Sequence, residues 1–413
     1  MDYYPPTTVE RAMRVQEVML KAMSGQMKWL EAADVLGVRP RTIRHWKWRL
    51  EHEGMGALLD RRCRVPSPRR VPGNEVEAIL RLYRERYTGF NVRHFHERAV
   101  RDHGVTRSYT FVKHVLQAAG LIRRHRTRGK HRLRRERRAC FGEMLHLDGS
   151  RHPWLALVPE LRQSLIAVAD DATSRLLYAQ LWPSETRTAV FHALRAVFQQ
   201  HGLPQQLYTD RAGWATRVPK AGRREDPQHP TQLQRALEAL GIEQILAFSP
   251  QARGRGERLN RTLQDRLVNE LRLVGIRTVE AANHYLDHTF LPDYNARFAR
   301  PPADPATGFV PLGDVDLDQY LCVEARRRVN RDNTVVLGKT VLQIPKQPGR
   351  RSCERRLVLV RHHLQGGYSI HLGSRRLARY DRLGRLRTPS TPLRLLPAER
   401  QDHLSKSSGK ITC

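Results

Sequence analysis

Residues 143–182 read EMLHLDGSRHPWLALVPELRQSLIAVADDATSRLLYAQLW. Glu143 to Asp148 alternates polar and apolar positions, the period of a half-buried strand. Ser164 to Ala169 is apolar almost throughout, as in a strand covered on both faces. Asp170 to Ser174 is a polar turn, and Arg175 to Trp182 returns as a third strand, so the three form a meander. Working outward, Ser184 is placed to cap a helix running to about Gln200, with Glu185 in the first turn, where an acid suits the helix dipole. Gln206 to Asp210 is a fourth strand, Thr231 to Leu240 a helix stopped by Gly241, and Ile242 to Phe248 a fifth strand. Glu257 to Val274 is a long helix whose buried stripe is Leu259, Leu263, Leu267 and Leu271.

This order places three acids. Asp148 is expected to end the first strand and Asp210 the fourth; on adjacent parallel strands both would emerge at the carboxyl edge, where open α/β sheets put their ligands. At about 100° per residue, Glu257 lies a quarter-turn off the leucine stripe and can lean toward that edge. Three converging carboxylates with no compensating cation would repel one another, and divalent cations resolve this. Oxygen-only donors suit Mg²⁺ or Mn²⁺. Two such ions about 4 Å apart can activate a water or a 3′-hydroxyl and stabilise the leaving oxygen at phosphorus. Asp148, Asp210 and Glu257 are therefore the expected catalytic residues and the expected ligands of two ions.

The charge points to the substrate. Across 413 residues there are 73 Lys and Arg against 41 Asp and Glu, a net charge of +32. Self-repulsion of that size is relieved by a polyanion, and double-stranded DNA is the expected partner. No apolar run approaches the ~20 residues of a membrane span, and Met1 to Glu10 lacks the apolar stretch of a signal peptide. The five cysteines are far apart and form no C-x-x-C pair, which argues against disulfide or zinc frameworks and suits a cytoplasmic, nucleoid-associated protein. The pairs His94/His96 and His362/His363 read as surface or DNA-facing histidines.

Residues 10–60 read as a helix-turn-helix domain. Trp29 to Gly37 has a helical pattern in Leu30, Ala33, Val35 and Leu36; Gly37 ends it and Pro40 opens the next helix. Ile43, Trp46 and Leu50 form that helix's inward stripe, which leaves Arg39, Arg41, Thr42, Arg44, His45 and Arg49 for a DNA groove. Residues 72–122 read as a second helical DNA-binding unit, with Arg107 at the start of its last helix. Residues 123–139 form a basic linker; from Arg123 to Arg138 there are ten Lys or Arg and one Glu. Its Arg123, Arg124, Arg126 and Lys130 are expected to clamp phosphates without reading sequence. Near Glu257, Arg253, Arg255, Arg258 and Arg261 are expected to grip the backbone, because helix N-termini attract phosphate.

After a core of residues 140–300, residues 320–395 contain strand-like runs at Thr334 to Leu337, Val341 to Ile344, Leu357 to Arg361, Tyr368 to Leu372 and Leu377 to Tyr380. A small five-stranded β-barrel is expected there, binding DNA or another protomer. Residues 396–413 are expected to be a disordered tail.

The motifs LHLDGS, VADDATSR, LYTDRAG and SPQARGRGERLNRTLQDRL resemble the core of the DDE transposases of the retroviral-integrase superfamily, and most nearly the bacterial ISNCY group of insertion-sequence transposases. The resemblance covers about residues 25–310. It implies a multidomain protein: N-terminal all-α helix-turn-helix units, a central α/β ribonuclease H-like integrase core, and a C-terminal small barrel. It implies that Asp148, Asp210 and Glu257 are the D, D and E. The implied activity is binding of terminal inverted repeats, phosphodiester hydrolysis and strand transfer, by a homo-oligomer that synapses two ends. The 46 residues between Asp210 and Glu257 exceed the interval in many integrase relatives, and the excess is expected in a loop from Trp214 to Pro230. The zinc-binding N-terminal domain of retroviral integrases is absent. Rival readings are a regulator that has lost catalysis and a ribonuclease H-like nuclease.

Overall fold

The computed structural model describes residues 6–59, 71–123, 136–217, 229–247 and 254–387. Two compact units are present: Met1–Glu85 with Thr110–Arg123, and Arg86–Tyr109 with Arg124–Cys413.

In the smaller unit, α1 (Pro6–Met23), α2 (Trp29–Leu36) and α3 (Pro40–Glu53) share a core of Val18, Ala22, Ala32, Ala33 and Ile43. Gly37 ends α2 at φ 61°, a left-handed conformation that glycine adopts without steric cost, and its N–H returns to the carbonyls of Ala33 and Asp34. Pro40 opens α3. The inward face of α2 differs from the expectation: Leu30 is 65% and Val35 48% exposed. The buried positions are Ala32 and Ala33, whose small side chains let neighbouring helices approach closely. Helix α4 (Gly73–Arg86) buries Ile79 and Tyr83. Helix α5 (Val92–His103) belongs to the larger unit, and α6 (Tyr109–Ala118) belongs to the smaller one beyond its first residue.

In the larger unit, a short β1 (Cys140–Phe141) precedes β2 (Met144–His152), β3 (Gln163–Asp170) and β4 (Leu176–Trp182). Then follow α7 (Arg187–His201), β5 (Gln206–Thr209), α8 (Gln232–Ala239), β6 (Glu243–Leu246) and α9 (Gly254–Leu273). This is the element order expected of the ribonuclease H-like class. The sheet runs β4-β3-β2-β5-β6; β2, β3 and β4 are antiparallel, while β5 is parallel to both β2 and β6. One face, with Leu145, Leu147, Ile166 and Val168, packs on α7 and α8. The other, with Leu165, Ala167, Ala179 and Leu181, packs on Leu263, Leu267 and Leu271 of α9. Helix α7 is capped by Thr186, whose hydroxyl accepts from the Ala189 N–H at 3.2 Å, rather than by Ser184; Glu185 therefore precedes the helix.

After α9 come α10 (Val279–Tyr285), a π-helical turn Leu286–Phe290 and α11 (Leu291–Phe298), then β7 (Asp304–Thr307) beside β1. The remaining strands are β8 (Cys322–Arg328), β9 (Thr334–Leu337), β10 (Thr340–Gln343), β11 (Leu357–His363), β12 (Tyr368–Leu372) and β13 (Arg375–Tyr380). They do not close into the expected barrel. Among the described residues, a four-stranded antiparallel sheet β13-β12-β11-β8 stands beside a separate β9-β10 hairpin that shares its core through Val335 and Leu342. Between β10 and β11 the chain carries Pro345, Pro348 and Gly349, which suit a turn and interrupt a ladder, so the closing edge is not made.

Candidate active site

Asp148 sits in the middle of β2 rather than at its end. The parallel ladder between β2 and β5 runs Met144↔Gln206, Leu145↔Leu207, His146↔Tyr208 and then stops. Two residues beyond that last pair stand Asp148 on one strand and Asp210 after the other. Beyond His146, β2 continues paired to β3 alone, out to His152↔Gln163. Each acid therefore follows the point where the two strands part, which is where a sheet can admit a ligand.

Side chains of β2 alternate. His146, Asp148 and Ser150 point to the face covered by α9. Helix α9 meets them at four-residue intervals: a Cβ on Gly256 would stand 3.2 Å from Asp148 Oδ2, Asn260 Nδ2 donates to that oxygen at 2.8 Å, and Gln264 Nε2 donates to Ser150 Oγ at 2.9 Å. Four helical residues advance about 6 Å and two strand residues about 6.6 Å, so helix and strand keep step. Glu257 is in the first turn of α9, one residue past Gly256 and three before Asn260, and is exposed on the flank of this face. Asp210 Oδ1 accepts from the Ala212 N–H at 2.9 Å, a local turn that orients its carboxylate.

Sequence reasoning missed two residues here. Asn260 is half-buried beside Asp148, and its Oδ1 is buried with no hydrogen-bond partner among the described residues. Glu185 accepts from Trp214 Nε1 at 2.6 Å, and a Cβ on Gly149 would lie 2.3 Å from its carboxyl carbon. Glu185 thus bridges the residue after Asp148 and the segment after Asp210. The only signal in the sequence was the glycine that follows Asp148. Trp214, Ala215 and Thr216 are buried, so the expected loop begins as core; residues 218–228 lie outside the described residues.

Asp170 shapes the β3–β4 turn as expected, accepting from Gly142 N–H at 2.9 Å and Thr173 N–H at 2.7 Å. Asp171 instead points inward, to His146 and Arg255. Burial pushes its carboxyl upward, but hydrogen bonds from His146, Arg255 and the Arg138 N–H hold it well below the usual carboxylate range.

Among the described residues, no three acids, histidines or cysteines come close enough to enclose a metal ion. The donor chemistry nonetheless fits the expected magnesium or manganese: oxygen donors from Asp148, Asp210 and Glu257, with the orphaned Asn260 Oδ1 able to accept from a water on such an ion.

Of the residues expected to hold DNA, Arg39, Arg41, Arg44 and His45 are exposed on or beside α3, while Thr42 and Arg49 are half-buried. Arg49 lies 3.8 Å from Glu53. Arg107 is half-buried, with its carbonyl accepting from His96 at 2.8 Å; Arg123, Arg258 and Arg261 are exposed. Arg124, Arg126, Lys130 and Arg253 lie outside the described residues. Arg255 is half-buried and turned inward.

His94 is not a surface histidine. It is fully buried, with Nε2 2.6 Å from Glu270 Oε1. Burial, aided by the Arg266 guanidinium, pushes its imidazole down to about 3. The ring is then neutral, donates Nε2–H to Glu270 and leaves Nδ1 as a buried acceptor with no partner among the described residues. Arg98 Nε at 3.0 Å and the Tyr285 hydroxyl at 3.1 Å complete the Glu270 cluster, and Glu97 pairs with Arg266 at 2.7 Å. Helix α5 is thereby fastened to α9 and α10.

No family model matches the chain. A protein described as a transposase, y4bF of Sinorhizobium fredii (strain NBRC 101917 / NGR234), is 35% identical over 297 residues, covering 71% of this chain and 64% of its own length. The transposase for insertion sequence IS1202 of Streptococcus pneumoniae is 30% identical, covering 55% of this chain and 56% of its own length. Both relatives are described as transposases, and the chain spans less than two thirds of the length of either. Among solved structures, a simian T-cell lymphotropic virus intasome is 14% identical at a TM-score of 0.29, covering 69% of this chain and 93% of its own. The HTLV-2 integrase catalytic core in complex with magnesium is 14% identical at 0.27, covering 37% and 91%. Those scores are too low to bear on fold or function.

Proposed function

We propose that the protein is a DNA transposase that binds the terminal inverted repeats of an insertion sequence, hydrolyses a phosphodiester there and transfers the freed 3′-OH to target DNA. One observation carries the reading: Asp148 and Asp210 each lie two residues past the last pair joining β2 and β5, and the first turn of α9, bearing Glu257, is laid against Asp148. Asp148, Asp210 and Glu257 would hold two magnesium or manganese ions. When bound, such ions lower the pKa of a water or hydroxyl and neutralise charge on the leaving oxygen. The chain's own part is to orient these carboxylates: Asn260 holds one oxygen of Asp148, and the Ala212 N–H holds one of Asp210.

Around this centre, residues 10–60 act as a helix-turn-helix domain that offers Arg39, Arg41, Arg44 and His45 of the α3 region to a DNA groove, with Thr42 and Arg49 at its margin. Residues 72–122 are a second DNA-binding stretch, and 123–139 a phosphate clamp. Residues 140–300 are the catalytic core and 320–395 an accessory β domain; the expected tail, 396–413, lies outside the described residues. Arg258 and Arg261 lie on the exposed side of α9, where they can meet phosphates. The working form is a homo-oligomer on two DNA ends, in the cytoplasm at the nucleoid.

The test is Asp148→Asn assayed on end DNA. Strand cleavage is expected to disappear while end binding persists, and unchanged cleavage by this variant would refute the assignment.

A further inference from the structure

Asp171 joins three parts of the chain that the active site needs in place. Its side chain is completely enclosed. Oδ1 accepts from His146 Nε2 at 2.7 Å and from Arg255 Nη1, and Oδ2 accepts from the Arg138 N–H at 2.8 Å. Its own N–H donates to the Met144 carbonyl at 3.0 Å. Arg255 Nη2 donates onward to the Glu136 carbonyl at 2.8 Å. A buried carboxylate is tolerated only when it is paired and hydrogen-bonded in this way. His146 lies two residues before Asp148 on the same face of β2, and Arg255 lies two residues before Glu257 in the first turn of α9.

A first helical turn has unsatisfied N–H groups and frays unless tertiary contacts hold it. Glu257 is exposed and is not held by burial. Gly256, its neighbour, has no side chain to pack. The tie from Arg255 to Asp171 fixes the start of this turn against β2, and the bond from Asn260 to Asp148 holds the turn that follows.

We propose that Asp171 and Arg255 are positioning residues, a latch that holds the first turn of α9 against β2 and so presents Glu257 to Asp148. The inference rests on the metal-dependent reading of that site. It also gives Arg255 a structural task in place of a phosphate contact.

The experiment uses the full chain as wild type, Arg255→Ala, Arg255→Lys, Asp171→Asn and Asp148→Asn. Hydrogen exchange at residues 254–260 is measured without metal, Mn²⁺ binding by calorimetry, and affinity for random-sequence duplex DNA in chelator. Arg255→Ala is expected to speed exchange in that turn and to weaken Mn²⁺ binding about 10- to 100-fold, the usual effect of removing a partner behind a metal ligand. Duplex affinity is expected to stay at the wild-type level, and Arg255→Lys to restore part of the Mn²⁺ affinity. Wild-type exchange in Arg255→Ala overturns the latch; weakened duplex binding with Mn²⁺ affinity intact makes Arg255 a phosphate contact and overturns it too. If Asp148→Asn binds Mn²⁺ as wild type does, the metal reading fails, and the exchange measurement still decides the latch. Asp171→Asn removes a buried charge, so if that variant does not fold, Arg255→Ala, altered at a half-buried position, carries the decision.

Discussion

Asn260 donates its Nδ2–H to Oδ2 of Asp148 at 2.8 Å, while its own Oδ1 is buried with no partner among the described residues. Under the metal-dependent reading, that amide would help hold the hydrated ions beside Asp148. Asn260→Ala should raise the Mg²⁺ concentration for half-maximal strand cleavage about 10- to 100-fold. The check is a metal titration of cleavage on end DNA; an unshifted midpoint makes Asn260 a packing residue.

Gly149 and Glu185 cannot be separated from each other. Any side chain at position 149 meets the Glu185 carboxylate, and Trp214 supplies that carboxylate with an N–H at 2.6 Å. Gly149→Ala should push the Glu185 carboxylate aside and cost about 1 kcal/mol, mainly by loosening its hydrogen bond from Trp214. Trp214→Phe should cost about 1–3 kcal/mol by removing the Nε1–H hydrogen bond to this charged carboxylate. Denaturant midpoints would measure both, and both variants should also slow cleavage, since Glu185 lies between the segments that carry Asp148 and Asp210.

The seam between α5 and α9 makes stability depend on pH. His94 is neutral in the fold because burial pushes its imidazole down to about 3, whereas in the unfolded chain it titrates near the ordinary 6.5. The unfolded state therefore binds more protons between these values. The contribution of His94 is fully present above about pH 6.5 and is lost as pH falls toward 3. Thermal midpoints recorded from pH 7 down to pH 4 should fall less steeply in His94→Gln than in wild type. Parallel curves for the two proteins would remove His94 from the explanation.

Exposed arginines on α3 should act through phosphate or groove contacts. If Arg44 contacts a phosphate, Arg44→Ala should weaken binding of end DNA and of unrelated duplex alike and lower the salt slope by about 1. If it reads a base, end DNA alone should suffer. Gel-shift titrations at several salt concentrations separate the two outcomes, and unchanged binding to both duplexes takes α3 away from the DNA.

The core was legible because its elements announce themselves locally. The apolar run from Ser164 to Ala169 can only be a doubly covered strand, and the leucines from Leu259 to Leu271 can only be one face of a helix. Less legible was anything set by a partner distant in sequence. Glu185 read as a first-turn acid because Ser184 and Thr186 are equally good caps in isolation, and only packing chose Thr186. His94 read as exposed because its partner, Glu270, lies 176 residues away. The C-terminal strands were recognised individually, but whether they close depends on edge pairing, which prolines in an intervening loop can prevent.

By itself, the sequence determined the period of each element, the charge that calls for a polyanion, and the three acids with the neighbours that make them recognisable. Those properties are local or compositional. Tertiary structure alone decided that Asp148 lies mid-strand just past the end of the β2–β5 ladder, that α9 keeps step with β2 so that Asn260 meets Asp148, and that Asp171 turns inward to Arg255. Each of these is a meeting of side chains far apart along the chain, and which of many compatible partners meet is settled only when the helices and the sheet pack.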